Sequence, residues 1–460
     1  MYKFIFLFTF MFGCSAFAQE NLLENYISIG LDNNLALKQK EYSLQKSIYE
    51  LKEARGMFLP SLGIEARYSR ADGGRIIEFP VGDLVNPIYD AINNTRINAG
   101  QNPIPFPTLK NEEIPFLRKK EHDTRLRAVQ PVIQPALFFN QKIKGELKEI
   151  KALDVLVYKR YLISEIKKSY LNYLKANEVW QLYQSTQKLL EENLRVNEKL
   201  VENGKATKEV VYRAQAELSK MEQNVEKAYR DTELAQEYFN HLLNRPAETT
   251  IEVAEPSSIT PVNLTDTEMA GNAAVHNREE LKQLDQYITI ASNSKKLAGT
   301  GFLPNLNLVA DYGFQGEKYD FGPDNDFWMV SGILSWNLFK GFQDVNKRQQ
   351  AEIDKKKLKA AIEEAEQQIR LQAREAYYNV EVASKSKESS AKGRKAAQES
   401  FKIISKKYEE GMASFIEYLD ARNTLTAAET THIINSYDLL INSAELERVT
   451  AAYDFKSQKY

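Results

Sequence analysis

Four histidines, His122, His241, His276 and His432, and one cysteine, Cys14, are the side chains of this 460-residue chain best suited to binding a metal or attacking an electrophile. A helical zinc site needs two histidines about four residues apart with a carboxylate beside them, and the four here stand alone. No glycine-rich phosphate cradle and no nucleophile elbow is present. The sequence therefore predicts no catalytic residue, no cofactor and no metal. The remaining candidates are acidic. Glu209, Glu409, Glu410, Glu417 and Asp420 cluster around two short glycine-containing segments, where they can be solvated or can set a local field.

Those two segments are copies. Val201-Glu202-Asn203-Gly204-Lys205-Ala206-Thr207 corresponds to Tyr408-Glu409-Glu410-Gly411-Met412-Ala413-Ser414. Each glycine is placed to take the left-handed conformation that ends a helix. Thr207 and Ser414 then stand where a side chain can accept hydrogen bonds from the first free N–H groups of the next helix. Each segment thus reads as the tip of a helical hairpin. On one side of the tips lie proline-free stretches, Gln141 to Leu200 and Asp344 to Tyr408. Sixty helical residues would span about 90 Å. In the second stretch Leu358, Ile362, Ala365, Ile369, Ala373, Ala376, Val380 and Ala383 step by three and four, a coiled-coil seam with small residues that permit close approach. Shorter helices are predicted over Asn21–Arg55 and Thr207–Asn244.

The duplication extends further. FLPSLGIEARYS (58–69) and FLPNLNLVADYG (302–313) share six of twelve positions at an offset of 244. Pro60 and Pro304 stop a helix, and the period then changes to two. Leu62, Ile64, Ala66 and Tyr68 alternate with polar residues, as do Leu306, Leu308, Ala310 and Tyr312. Partner strands are expected at Arg125–Gln134 and Phe327–Leu338. In the last, Trp328 and Trp336 stand near the two ends of one apolar face. Tyr68, Tyr312, Trp328 and Trp336 suit the two interfaces of a membrane. The loop after the first strand, Ala71 to Thr124, is long and rich in Pro, Gly and Asn; the second, Gln315 to Asp326, is short.

Sixty-one basic residues against 63 acidic ones leave no global charge for nucleic acid. A mean hydropathy of −0.48 excludes a bundle of transmembrane helices. The first 18 residues carry one lysine, an apolar run and small residues at Ala16 and Ala18, the layout of a secretory signal cut after Ala18. Met11-Phe12-Gly13-Cys14 offers the alternative of a lipoprotein box with Cys14 as a lipidated N-terminus.

The order helix, FLP-strand, loop, strand, long helix, glycine tip, return helix, written twice, resembles the TolC-like outer membrane efflux protein family. SWNLFKGF (335–342), GMASFIEYLDAR (411–422) and FNHLLNRP (239–246) resemble its signatures for strand exit, second tip and end of the first repeat. The resemblance covers the mature chain and implies a mainly α fold with a β-barrel part. Two tandem repeats, 19–246 and 266–453, would each give a strand pair (58–134, 302–339) and a helical hairpin (141–244, 342–452). A connector, 247–265, would carry a little strand, and 454–460 would be a tail. Four strands per chain would complete a trimeric 12-stranded barrel, and the coiled-coil helices a periplasmic α-barrel. Independently, four strands cannot close a barrel and open edges are not tolerated in lipid, so chains must pool their strands.

The resemblance also implies partners: two further copies in a homotrimer, outer-membrane lipid, a periplasmic adaptor and an inner-membrane transporter. The aperture and adaptor-contact positions would fall at Gly204, Thr207, Glu209, Tyr408, Gly411, Ser414, Glu417 and Asp420. Ala413 stands where some members carry arginine, and Val210 stands where an acid is expected, with Glu209 one place earlier. The function expected is a passive outer-membrane conduit of a tripartite efflux system. The alternatives are the channel of a type I protein secretion system and a pore-less periplasmic coiled-coil scaffold.

Overall fold

A computed structural model of the chain describes residues 14–253 and 266–453, with side chains from residue 22. The expected signal segment therefore lies outside the described residues, apart from the backbone of 14–18, and so do 254–265 and the tail 454–460. The chain divides into a helical unit (Met1–Leu51, Lys142–Ser294, Gln349–Tyr460) and a strand unit (Lys52–Gln141, Lys295–Arg348).

In the helical unit the two long helices are α4, Pro135–Glu202, and α8, Gln343–Glu409. The first begins earlier than its periodicity suggested because Pro135 occupies the first helical position, where a missing N–H costs nothing. Return helices α5, Lys208–Leu242, and α9, Phe415–Val449, follow the tips. The helix expected over Asn21–Arg55 is two: α1, Cys14–Asn33, and α2, Leu35–Gly56. Asn34 makes the break. Its Oδ1 accepts from Leu37 N–H at 3.0 Å, a cap for α2, while its Nδ2 donates to Leu242 O at 2.9 Å. Helices α6, Thr267–Asn277, and α7, Glu279–Gly299, occupy the same place in the second half.

The largest core gathers Tyr26, Ile27, Leu31, Leu37, Leu162, Ile166, Tyr170, Phe239 and Leu243. Tyr26, Tyr170 and Phe239 pack ring against ring at 5.1–5.7 Å. Gly30 lets α1 approach α4: a Cβ there would collide with Ile166 Cδ1. Part of the connector closes this core, with Ile251 buried and Glu252 N–H donating to Tyr26 Oη at 3.0 Å. Residues 247–253 form no strand. The alanine seam of α8 is buried at Ile369, Ala373, Ala376 and Ala383, the first three against Ala270, Ala274, Leu446 and Val449. Ion pairs tie α4 to its neighbours: Arg160 to Glu279 through two bonds of 2.8 and 2.9 Å, and Lys167 to Glu447 at 2.7 Å.

The strand unit holds an antiparallel sheet in the order β1–β4–β5–β6, formed by Ser61–Arg70, Lys120–Ile133, Asn305–Gly316 and Asp326–Ser335. Strands β1 and β6 are its two open edges. The expected long loop has structure of its own. A hairpin of β2, Ile76–Phe79, and β3, Glu112–Pro115, frames helix α3, Val81–Asn98. The segment returning from α3 is strapped to it by Asn86, which bonds Leu109 N–H and O, and by Asn93, which does the same to Ile104.

Candidate functional site

The two hairpin tips meet in the helical unit. Gly204 and Gly411 take φ of +68° and +72°, the left-handed value a helix end requires. At the second tip the sequence Ser-x-x-Glu forms a reciprocal cap: Ser414 Oγ accepts from Glu417 N–H, and Glu417 Oε2 accepts from Ser414 N–H at 2.7 Å. The Ser414 N–H and hydroxyl hold the Glu417 carboxyl below the ordinary glutamate range. Thr207 occupies the matching position with extended backbone, yet its hydroxyl makes no cap. That expectation is corrected. The third residue on is Val210, which offers no reciprocal carboxylate.

Val210 has another task. Ala214, Phe415 and Tyr418 form a buried cluster into which Leu194, Val210, Phe401, Ile404, Tyr408 and Leu419 pack. The first tip thus meets the second through an apolar side chain where an acid was expected. Glu209 is exposed and pairs with its own Arg213, and Asp420 is exposed. Tyr408 lies 5.0 Å from the Tyr418 ring, and its hydroxyl donates to Asn197 Oδ1 on α4 at 2.9 Å. Burial raises the pKa of both tyrosines, so the hydroxyls stay protonated. A second link runs from buried Arg422, whose Nη2 donates to Thr186 Oγ1 at 2.9 Å and whose guanidinium lies 5.4 Å over Phe401. Of the residues predicted for the tip, the structure brings Tyr408, Ser414 and Glu417 into one hydrogen-bonded and aromatic assembly. It adds Asn197, Thr186, Tyr418 and Arg422. Tyr418 and Arg422 lie inside the GMASFIEYLDAR stretch, but Asn197 and Thr186 are more than 200 residues from the groups they bond and carried no local signal.

In the strand unit the two faces of the sheet differ. Leu62, Ile64, Leu126, Leu306, Tyr312, Val330 and Leu334 share one face through the strand register. They are not covered: Leu62 is 69% exposed, Ile64 77% and Leu334 63%. Tyr312 stands opposite Trp328 near one end of this face, with Tyr68 and His122 paired beyond it, and Trp336 follows β6 at the other end. Trp336 Nε1 donates to Phe302 O at 3.1 Å. The opposite face carries Glu65, Arg67, Asp123, Arg125, Arg127 and Asp311 in contiguous ion pairs.

The histidines lie on separate elements. His122 is fully buried, stacked 4.5 Å from Tyr319, with neither ring nitrogen bonded. His432 on α9 meets Ser390, and burial with Arg394 and Lys387 lowers its pKa. Among the described residues no cluster of His, Cys, Asp and Glu could hold a metal, and no helix is long and apolar enough to cross a membrane.

A sheet with one uncovered apolar face and one charged face is what a membrane barrel needs. Residues 270–452 match the family model described as outer membrane efflux protein. That match covers the second of the two repeats. The solved structures of similar fold agree over nearly the whole chain. CusC has a TM-score of 0.76 at 15% identity, covering 94% of this chain and 92% of its own. The CmeC outer membrane channel of Campylobacter jejuni has 0.76 at 15%, covering 95% and 87%. The open state of the MtrE outer membrane channel of Neisseria gonorrhoeae has 0.74 at 16%, covering 93% and 88%. No curated protein matches the sequence. Residues 270–452 thus match an efflux family, and the whole chain shares the fold of these outer membrane channels.

Proposed function

We propose that three copies of this chain form a passive efflux conduit for small molecules, the outer-membrane member of a tripartite system with a periplasmic adaptor and an inner-membrane transporter. One observation carries the reading: a four-stranded sheet with two open edges and an uncovered apolar face. Unpaired N–H and C=O groups cannot stay in hydrocarbon, so β6 of one chain pairs with β1 of the next until twelve strands close. The apolar face meets lipid, with Tyr68, Tyr312, Trp328 and Trp336 near its borders, and the charged face meets a water-filled lumen. A pore-less scaffold would leave this face bare in water.

Gating belongs to the tips. The Tyr408–Asn197 and Arg422–Thr186 bonds join the second hairpin to α4, so they stabilise a closed arrangement that an adaptor must disrupt. The residues Gly204, Thr207, Glu209, Gly411, Ser414, Glu417 and Asp420 form the rim presented to that adaptor. The protein purified from membranes in detergent should show a trimer mass by native mass spectrometry and pass discrete currents across planar bilayers. A monomer without channel activity would refute the proposal.

A further inference from the structure

The charged face of the sheet is more ordered than a wetted surface requires. In register, Gly63–Arg127–Asp311–Met329, Glu65–Arg125–Gly313–Phe327 and Arg67–Asp123–Gln315 are successive rows across the sheet. Arg127 grips Asp311 at two points, Nε to Oδ1 at 2.7 Å and Nη2 to Oδ2 at 2.9 Å, and reaches Glu65 at 3.0 Å. Arg125 meets Glu65 at 3.1 Å and Asp123 at 3.6 Å, and Arg67 meets Asp123 at 3.8 Å. Asp311 is only 3% exposed, so its charge is held by Arg127 rather than by water. Gly313 makes room for the middle row: a Cβ there would lie 2.5 Å from Arg125 Cβ. Arg67 is the loose end, the most exposed member of the chain of pairs.

We propose that this belt of cross-strand ion pairs lines the pore and sets its ion selectivity, with Glu65, Asp311 and Arg127 as the determining residues. The inference rests on the trimeric-channel reading, which turns this face to the lumen. Three arginines and three carboxylates cancel, so the belt favours neither sign of solute. Repeated around the threefold axis, it sets the field of the whole barrel cross-section, because fixed charges in a water-filled passage act over about 8 Å at physiological ionic strength. Losing one carboxylate leaves one net positive charge per chain; losing one arginine does the reverse.

The test is the reversal potential of reconstituted channels under a potassium chloride gradient. Asp311→Asn and Glu65→Gln should each shift it toward chloride, and Arg127→Gln toward potassium, each by at least about twofold in permeability ratio. Shifts that are absent, or of one sign for all three, in trimers that melt like the wild type overturn the proposal. An Arg67→Cys variant guards against misfolding of the belt variants. A charged, water-soluble methanethiosulfonate should change its current, leave the wild type unaffected and leave Val330→Cys, on the lipid side, unaffected. The opposite pattern overturns the assignment of the lumen face. A wild type that conducts while the variants behave like it sinks this inference alone; a wild type that passes no current sinks the channel reading with it.

Discussion

Replacing Tyr408 by Phe removes one oxygen atom from the tip. The hydroxyl donates to Asn197 Oδ1 at 2.9 Å, and Asn197 is fully buried. Its amide nitrogen keeps the bonds to Asn193, O and Oδ1, so the variant strands the acceptor alone. A buried acceptor without a partner costs about 1–3 kcal/mol, more than the roughly 1 kcal/mol net value of the bond itself. In an open tip water solvates both groups, and the substitution costs nothing there. The closed state alone is destabilised, so the ratio of open to closed should rise by about 5- to 150-fold per chain. Open probability in planar bilayers without adaptor reads this directly, as does increased entry of large antibiotics into cells bearing the variant. A second substitution makes the argument specific. Asn197→Leu added to Tyr408→Phe removes both polar partners and should restore closure, because the apolar pair leaves no buried acceptor and Asn193, only half-buried, can turn to water. Open probability unchanged in Tyr408→Phe, with the trimer intact, would refute the latch. A double variant that stays open would show that packing, not the hydrogen bond, holds the tip.

Three further outcomes follow from the helical unit. Gly30→Ala should lower stability by about 1–3 kcal/mol, seen as a reduced melting temperature by circular dichroism, because Ile166 is itself buried and cannot swing away from the new methyl. Arg160→Met should cost about 3–5 kcal/mol by leaving Glu279 buried without its cation, and Arg160→Met with Glu279→Met should recover most of it. The Glu417 carboxyl has a lower pKa folded than unfolded, so its cap is fully effective above the ordinary glutamate value of about 4.5 and is lost as pH falls through the lower folded value. Hydrogen exchange at residues 411–420 should therefore accelerate below pH ~4.5 beyond the intrinsic rate in the wild type, and Glu417→Gln should abolish that extra dependence.

Local periodicity made the strands, the long helices and the glycine tips legible, because each depends on residues within a few positions of one another. Ser414 and Glu417 show the same principle: a cap written in four consecutive residues forms as written, whereas Thr207 lacks the glutamate three places on and makes no cap. The break at Asn34 was hidden because it depends on Leu242, 208 residues away. Helix α3 was hidden for a different reason. Pro87 stands inside it, and a proline amid Gly and Asn reads as a loop; the helix persists because Asn86 and Asn93 fasten the return segment along it. At the tip, the resemblance pointed to Tyr408, but neither periodicity nor spacing could name Asn197 or Thr186.

The strand unit poses a choice that periodicity leaves open, since a soluble sandwich also alternates apolar and polar residues. The two architectures differ in where the apolar face goes. In a sandwich the apolar face packs against a second sheet about 10 Å away and leaves the charged face in water. In this chain the burial is inverted. The charged face holds the least exposed position of its central rows, Asp311, while Trp328 on the apolar face is 77% exposed. Such a surface, ending in aromatic residues and flanked by open strand edges, is stable only where lipid covers the face and neighbouring strands cover the edges. The ion pairs across β1, β4 and β5 then serve a second purpose: they fix the register before closure, since a slip of one residue would turn the arginines into hydrocarbon. A variant lacking Arg127 should for that reason assemble trimers more slowly as well as conduct differently, measurable as delayed appearance of the heat-resistant oligomer during refolding into detergent. Equal assembly rates would confine the belt to the lumen's charge.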